Sequence, residues 1–280
     1  MFIGLTLFSL ALVFQPLQDL MEAAKRSDYY SHIILIPFVT GYLIYSKKKE
    51  LLGNPSLSYG MGGILLLLGL ALYALGFHHA KGLNFNEQTA ILVISAAVFW
   101  TGGFILLYGL DAFRRNPFPF FFLVFMIPIP NILMSKIIYA LQLGSTEVSE
   151  VLFFLIGVPY QREGFVFHLP GVSVEVAELC SGIRSSLALF ITGILAGHFF
   201  LDEFWKKVVL GVIVFPVTVF KNGIRIITLS LLGSYVDEKF LTQSWLHHSG
   251  GFVFFIPALA LLGLALWGLR RNFQKAERKG

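Results

Sequence analysis

Long apolar stretches separated by short polar segments make up the pattern of this chain. Eight such stretches cover residues 2–20, 31–46, 59–77, 89–109, 118–134, 181–200, 208–233 and 250–269. An α-helix needs about 20 apolar residues to cross the hydrocarbon core of a bilayer. The shorter second stretch ends near Tyr42 and Tyr45, which suit the membrane interface. The pattern therefore predicts an all-α polytopic membrane protein with about eight transmembrane helices.

The basic residues between these stretches predict the orientation of the helices. They follow the second, fourth, sixth and eighth stretches, at Lys47–Lys49, Arg114–Arg115, Lys206–Lys207, and then Arg270, Arg271, Lys275, Arg278 and Lys279. All four clusters share one side, which the positive-inside rule makes cytoplasmic. No cationic segment precedes the first stretch, so we expect an uncleaved helix there. Both termini are then cytoplasmic.

This orientation makes residues 135–179 extracytoplasmic, because the fifth stretch leaves the membrane where the sixth must enter it. Ile127-Pro128-Ile129-Pro130 is expected to end or kink the fifth helix. The segment 137–157 carries polar residues that are costly in lipid, namely Gln142, Ser145, Thr146, Glu147, Ser149 and Glu150. We expect an outer interfacial amphipathic helix here, with a hairpin that enters and leaves the membrane as the weaker alternative.

Residues 158–177 change to short alternating segments bounded by Gly and Pro, a pattern typical of a β-hairpin. The hairpin leads directly into Cys180. The connections elsewhere are too short for a separate soluble domain. We therefore expect residues 1–280 to form a single integral-membrane domain with a small extracytoplasmic hairpin at 158–177.

Composition supports a lipid environment and excludes several classes of site. Hydrophobic residues make up 56% of the chain and charged residues 13%, against about a quarter charged in soluble domains. The net charge of +5 comes from clusters between apolar runs, which indicates cytoplasmic loops rather than nucleic-acid binding. One cysteine excludes an intramolecular disulfide and a multi-cysteine metal site. No His-Glu-x-x-His, P-loop or dinucleotide motif is present, so we expect neither a metal nor a cofactor.

The single cysteine, Cys180, lies at the predicted start of the sixth helix, in a segment unusually rich in polar residues. A helix N-terminus favours the thiolate form of a cysteine. Arg184, four residues on, would share a helix face with Cys180. Gly182 would let another element approach closely. Glu178 could orient a catalytic partner, although a carboxylate beside an aqueous loop is usually just solvated, and a lone cysteine is by default a small core residue.

Two further segments place chemistry at the same predicted membrane face. Arg225 lies inside the seventh stretch, about 25 Å from its cytoplasmic entry, with Asn222 on the same helix face. An arginine within a membrane helix is a functional candidate, or else one that extends to the interface or pairs with an acid. His247 and His248 open the eighth helix. These residues can form one site only if the sixth, seventh and eighth helices pack side by side.

A thiol, a guanidinium and an imidazole are suited to nucleophilic acyl transfer. The cysteine attacks as thiolate, histidine moves protons, and arginine stabilises an oxyanion or holds a carboxylate. The alternative hypotheses are a transporter or a lipid or polysaccharide flippase with Arg225 and Asn222 lining a path, and a structural membrane subunit with a buried cysteine. The first five helices hold few polar residues, which disfavours the transporter.

Three ordered motifs resemble those of the exosortase/archaeosortase family. Residues 177–185, Ala-Glu-Leu-Cys-Ser-Gly-Ile-Arg-Ser, are similar to the cysteine motif of the family, and residues 222–226, Asn-Gly-Ile-Arg-Ile, to its arginine motif. His247, followed by Gly251 and Phe255, is similar to the third motif, which carries histidine in bacterial members. The chain therefore resembles a bacterial exosortase.

The resemblance implies a membrane-embedded cysteine transpeptidase or protease of the bacterial inner membrane. Its partners would be membrane lipid and exported proteins bearing a C-terminal sorting signal of the PEP-CTERM kind: a short proline-containing motif, a hydrophobic helix and a basic tail. Cleavage at the outer face through a thioacyl intermediate would use Cys180 as nucleophile, Arg225 as oxyanion or substrate stabiliser and His247 as general acid and base. Glu178, Arg184, Asn222 and His248 would support them. The recognised motif, the acceptor (water or an amine), the choice between His247 and His248, and the oligomeric state stay open.

Overall fold

A computed structural model describes residues 2–12, 14–26, 30, 32–53, 56–78, 82–178 and 182–277. The chain forms two compact units, Met1–Met134 and Ser135–Gly280. Helices dominate both units, as the apolar pattern predicts.

The first unit is built on two long helices. Its helices are α1 (Phe2–Leu12), α2 (Phe14–Arg26), α3 (Ile36–Ser46), α4 (Lys48–Leu52), α5 (Tyr59–His78), α6 (Phe85–Tyr108), α7 (Leu110–Arg115) and α8 (Phe118–Phe122), with 3₁₀ turns at Ile33–Leu35 and Leu123–Met126. A capping box starts α6, because the Asn84 side chain accepts a hydrogen bond from the Glu87 backbone N–H at 3.0 Å. Gly69 allows α5 to approach α6 closely, since a Cβ there would lie 2.7 Å from Cβ of Phe99.

The second unit contains most of α9 and everything after it. Its elements are α9 (Asn131–Ile156), β1 (Gln161–Glu163), β2 (Val166–Leu169), β3 (Val172–Glu175), α10 (Ile183–Phe200), α11 (Phe204–Tyr235), α12 (Lys239–Thr242) and α13 (Trp245–Glu277). Helices α10 and α11 are joined by the short connection 201–203, whereas α11 and α13 are joined by 236–244, which contains α12.

The three strands form an antiparallel sheet in the order β1-β2-β3. Strand β2 pairs with β1 through Arg162 opposite Phe167, and with β3 through Phe167 opposite Val174. The predicted hairpin at 158–177 is confirmed and carries one strand more than a simple hairpin. The inner face of the sheet packs on helices, because Phe167 is fully buried among Phe153 of α9 and Ile226 and Ile227 of α11.

Helices α10, α11 and α13 pack against one another. Their shared apolar cluster is formed by Leu189 and Leu201 with Leu210 and Val214 of α11 and Ala258 and Leu262 of α13. The sixth, seventh and eighth predicted helices therefore lie side by side, which is the condition that a common site at their ends requires.

Within the described residues, six helices are long and apolar enough to cross a membrane: Tyr59–His78, Phe85–Tyr108, Asn131–Ile156, Ile183–Phe200, Phe204–Tyr235 and Gly251–Arg271. The bent pair Gly4–Ala11 and Phe14–Glu22 would make a seventh. Five of these six helices correspond to predicted stretches. The second predicted stretch forms only the shorter apolar helix Ile33–Ser46.

The prediction of one continuous fifth helix over 118–134 is wrong. Instead α8 and a 3₁₀ turn end at Met126, the chain becomes extended at Ile127, and α9 starts at Asn131. Pro128 and Pro130 lack backbone N–H donors, so they break the apolar stretch as expected.

The expected interfacial helix at 137–157 is part of the continuous helix α9. It is long and apolar enough to be a candidate span, although it is the least apolar of the six. Several of its polar side chains avoid lipid by burial, since Ser145, Thr146 and Ser149 are fully buried in the second unit. The interfacial placement therefore stays a prediction.

Candidate active site

The start of α10 shapes the structure beside the cysteine motif. Gly182 is the N-cap residue and has φ +72° and ψ +21°, the left-handed conformation that only glycine adopts without strain. Its carbonyl accepts hydrogen bonds from the Ser185 hydroxyl at 2.9 Å and from the Ser186 hydroxyl at 2.7 Å. The helix therefore begins at Ile183, two residues later than predicted.

The late helix start changes the interpretation of Arg184. Helical spacing relates two residues only when the backbone between them is helical, and Gly182 is not. The expected common helix face of Cys180 and Arg184 therefore does not follow. Arg184 lies in the first turn of α10 and is exposed, as is Glu178. Cys180 itself, with Leu179 and Ser181, lies outside the described residues.

A buried lysine reaches this glycine from α11. Lys221 is only 5% exposed, and its ammonium donates a hydrogen bond to the Ser185 hydroxyl. In the part of the chain that the structure describes, no carboxylate lies at ion-pair distance from Lys221. A buried cation beside a neutral hydroxyl retains a desolvation cost that a nearby anion would offset.

Asn222 of α11 lies next to Gly182, the N-cap residue of α10. It is fully buried, and its side-chain amide donates a hydrogen bond to the Ser145 hydroxyl of α9 at 3.0 Å. The Asn222 carbonyl oxygen lies 3.1 Å from the position that a Cβ on Gly182 would take. Asn222 therefore links α9, α10 and α11 at one point, and its role as a supporting residue stays a prediction.

Arg225 is half-buried one helical turn after Lys221, on the same face of α11. It lies about 31 Å along this helix from Phe204, near the end that packs on the sheet. Two cations one turn apart repel each other.

The two histidines lie where the sequence predicts, in the first turn of α13, but their side chains lie outside the described residues. Since α13 packs against both α10 and α11, the backbone that carries His247 and His248 belongs to the same helix group as Arg225.

A salt-bridge network fastens the sheet to α9 at this end of the unit. Arg162 of β1 pairs with Glu147 at 2.8 Å and also with Glu150 of α9. The hydrogen bonds that Arg162 donates to Glu147, the strongest influence, and to Glu150 hold the pKa of Arg162 above its ordinary value, so the guanidinium stays charged. The network holds β1 on α9 and keeps the sheet in place above Ile226 and Ile227.

Sequence reasoning missed Lys221, Ser185 and Ser145 as members of this cluster. One signal was available, a lysine inside an apolar stretch and one turn before Arg225. Their contacts, however, join residues 36 and 77 positions apart, which no local pattern encodes.

No group of three or more His, Cys, Asp and Glu side chains is placed to hold a metal ion among the described residues. The polar cluster instead consists of an ammonium, an amide and hydroxyl groups.

Comparison with known proteins identifies the family. The family model described as transmembrane exosortase (Exosortase_EpsH) matches residues 24–264. No curated protein and no solved structure matches the chain. The family match covers α3 to α12, the first part of α13, the sheet and all three motifs. The chain thus belongs to the transmembrane exosortase family of multi-pass membrane proteins, whose members are sorting-related transpeptidases.

Proposed function

We propose that this protein is a cysteine transpeptidase or protease that cleaves the C-terminal sorting signal of exported proteins, of the PEP-CTERM kind, at the outer face of the bacterial inner membrane. Both of its termini would then be cytoplasmic. The observation that carries the proposal is the buried cationic and polar cluster of Lys221, Asn222 and Ser185 around Gly182, next to the family's cysteine motif.

Covalent geometry supports the assignment of Cys180 as the nucleophile. Only Ser181 separates Cys180 from Gly182, so their Cα atoms are at most about 7.6 Å apart. The buried ammonium of Lys221 lies within 3.4 Å of the Cβ position at Gly182. A cation and a helix N-terminus both favour the thiolate, and a thiolate would supply the anion that the buried lysine lacks among the described residues.

The proposed reaction begins when the Cys180 thiolate attacks the carbonyl carbon of the scissile peptide bond. The carbon–sulfur bond forms while the carbonyl oxygen becomes an oxyanion, which Arg225 stabilises. The oxyanion then collapses, the carbon–nitrogen bond breaks, and His247 gives a proton to the departing amine. The product is a thioester on Cys180 and a free C-terminal fragment.

The second half of the reaction releases the sorted protein. Water or an acceptor amine attacks the thioester carbonyl, and His247 takes the proton of that nucleophile. The carbon–sulfur bond breaks and the thiolate is restored. Glu178, Arg184, Asn222 and His248 are the supporting residues in this scheme, and Asn222 has the strongest support because it is buried against the N-cap of α10.

The test replaces Cys180 by Ala in a cell that exports a tagged reporter with the three-part C-terminal signal. Because Cys180→Ala removes the nucleophile, we expect the full-length reporter to accumulate while the variant reaches the membrane at normal abundance. Normal processing by this variant would overturn the proposal and favour a transporter or a structural subunit.

A second variant examines Arg225. Arg225→Lys keeps the positive charge but loses the planar fork of donors, so we expect processing to fall by about 100-fold or more if Arg225 contacts the oxyanion. Arg114→Lys is the matched control, because Arg114 is an exposed arginine of α7 with no role in the proposed scheme. Equal losses in both variants would argue against a specific role of Arg225.

A further inference from the structure

A cleft separates strand β3 from the end of α11 and the segment that follows it. Its volume is about 520 Å³, within the range of ligand-binding clefts. One wall is the whole of β3, from Val172 to Glu175, and the opposite wall includes Leu241 and Gln243. Arg225 and Leu229 of α11 also line the cleft.

The hydrogen-bond pattern shows which backbone groups of β3 lie on its unpaired edge. The Val176 N–H donates to the Phe165 carbonyl at 2.9 Å, so these two residues form a hydrogen-bonded pair. In an antiparallel ladder such pairs alternate with non-hydrogen-bonded ones. Phe167 with Val174 is therefore the next hydrogen-bonded pair, and Ser173 and Glu175 direct their backbone N–H and C=O groups away from β2.

Strand β3 is an edge strand in the described sheet. An open strand edge is a template for another extended chain, and peptides bind such edges by main-chain hydrogen bonds. The side chains around this edge are mixed, since Glu175 and Glu238 accompany Arg225 and Lys239. Four charged side chains disfavour a lipid tail. An extended polypeptide, in contrast, can form hydrogen bonds both with the backbone edge and with the polar walls.

We propose that this cleft binds an extended segment of the protein substrate, which adds to β3 as a fourth strand beside Arg225. At about 3.3 Å per residue, the four residues of β3 span about 13 Å, enough for four or five substrate residues. Strand β3 ends at Glu175, five residues before Cys180. The inference rests on the proposed function, because it takes the substrate to be a polypeptide cleaved at Cys180.

Photo-crosslinking tests occupancy of the cleft without requiring cleavage. The photoreactive residue p-benzoylphenylalanine replaces Gln243 in the full chain carrying Cys180→Ala. This chain is co-expressed with an exported reporter that the unaltered chain processes. The matched control places it at Gln161, another exposed glutamine, on β1 at the far edge of the sheet. We expect the reporter to crosslink from position 243, through residues next to its cleavage point, and at least about tenfold less from position 161.

Three results would overturn the proposal: equal crosslinking from both positions, crosslinking from position 243 to a second copy of this chain alone, and no crosslinking from position 243 while the reporter still co-purifies. Continued processing by Cys180→Ala itself would instead overturn the proposed function. Failure of the cleft proposal and failure of the proposed function are thus distinguished by separate measurements, since crosslinking reports binding and processing reports chemistry.

A backbone substitution tests the strand pairing itself. Ser173→Pro removes an N–H on the unpaired edge but leaves the ladder with β2 intact, and proline is tolerated on edge strands. The control Ser173→Ala loses the same 2.8 Å contact with His168 but keeps the N–H. We expect processing to fall by up to about tenfold in Ser173→Pro relative to Ser173→Ala, the effect of one hydrogen bond. Equal processing by these two variants, with equal amounts in the membrane, would overturn the pairing.

Discussion

Gly182→Ala should be considerably more damaging than the same substitution at Gly157. Both glycines have φ +72°, so alanine meets the same backbone penalty at each. A Cβ at Gly157 has no neighbour within 4 Å, whereas a Cβ at Gly182 lies 3.1 Å from the Asn222 carbonyl oxygen and 3.4 Å from the Lys221 ammonium. The pair of variants therefore separates backbone strain from crowding of the polar cluster.

The magnitude follows from these two contributions. The left-handed conformation costs an L-residue about 1–2 kcal/mol, which is the whole effect expected for Gly157→Ala. At Gly182 the fully buried Asn222 must also shift, and its hydrogen bond to Ser145 is worth about 0.5–1.5 kcal/mol. We therefore expect Gly182→Ala to lower the free energy of unfolding by about 2–3 kcal/mol, roughly 1 kcal/mol more than Gly157→Ala.

The assay is reversible denaturation of both variants in one detergent, followed by tryptophan fluorescence, together with processing of the tagged reporter. We expect Gly157→Ala to process normally and Gly182→Ala to lose most of its activity. The double variant Gly182→Ala/Asn222→Ala should lose about 1 kcal/mol less stability than the sum of the losses of the two single variants. The reason for this coupling energy is that Asn222→Ala removes the atom that the new Cβ crowds. Equal destabilisation of the two single variants, or a coupling energy near zero, would refute the crowding argument.

Three further predictions concern single contacts. Lys221→Met removes a buried charge but keeps the apolar stem, so the unfolding temperature should stay unchanged or rise. Alkylation of the only cysteine by iodoacetamide should slow by about tenfold in this variant near neutral pH; unchanged alkylation would contradict a cation beside the thiolate, and Lys206→Met, in the first turn of the same helix, is the control. Phe167→Ala should lower the free energy of unfolding by about 3–5 kcal/mol, because Phe167 is fully buried between the sheet and the helices; a loss below about 1 kcal/mol in denaturation would show that the sheet is not packed there. A hydrogen bond from Lys206 holds the pKa of Glu203 below its ordinary value, so this carboxylate stabilises the fold above the unfolded-state pKa and loses that effect as the pH falls through its folded-state pKa. The unfolding temperature of the unaltered protein should therefore exceed that of Glu203→Gln at pH 7 and converge with it once the pH falls below the folded-state pKa of Glu203, and a difference independent of pH would contradict the ion pair.

The helices of this protein were largely predictable because each long apolar stretch can cross a bilayer as a helix without help from the rest of the chain. A span needs only its own residues to form its hydrogen bonds, so α5, α6, α10, α11 and α13 follow from local composition. The stretch at 118–134 shows where composition fails. Its hydrophobicity suits a span, but Pro128 and Pro130 determine the backbone and prevent one continuous helix.

The candidate site was predictable only in part. Arg225 and Asn222 could be identified because a charged group and an amide are costly within an apolar membrane helix, so their presence indicates a functional role. The role of Gly182 differs from the expectation, since its left-handed backbone and the side chain of Asn222, not a close helix approach, require glycine. The contact between Lys221 and Ser185 depends on the packing of α10 on α11, which arises only in the folded chain.

The short connection between α10 and α11 restricts how a substrate can enter. Three residues, 201–203, join two long antiparallel helices, so these helices cannot separate at that end and should move as one rigid hairpin. The longer connection 236–244 lies at the opposite end and forms one wall of the cleft. We therefore expect admission of a polypeptide to the cleft to depend on movement of this connection and not on separation of α10 from α11.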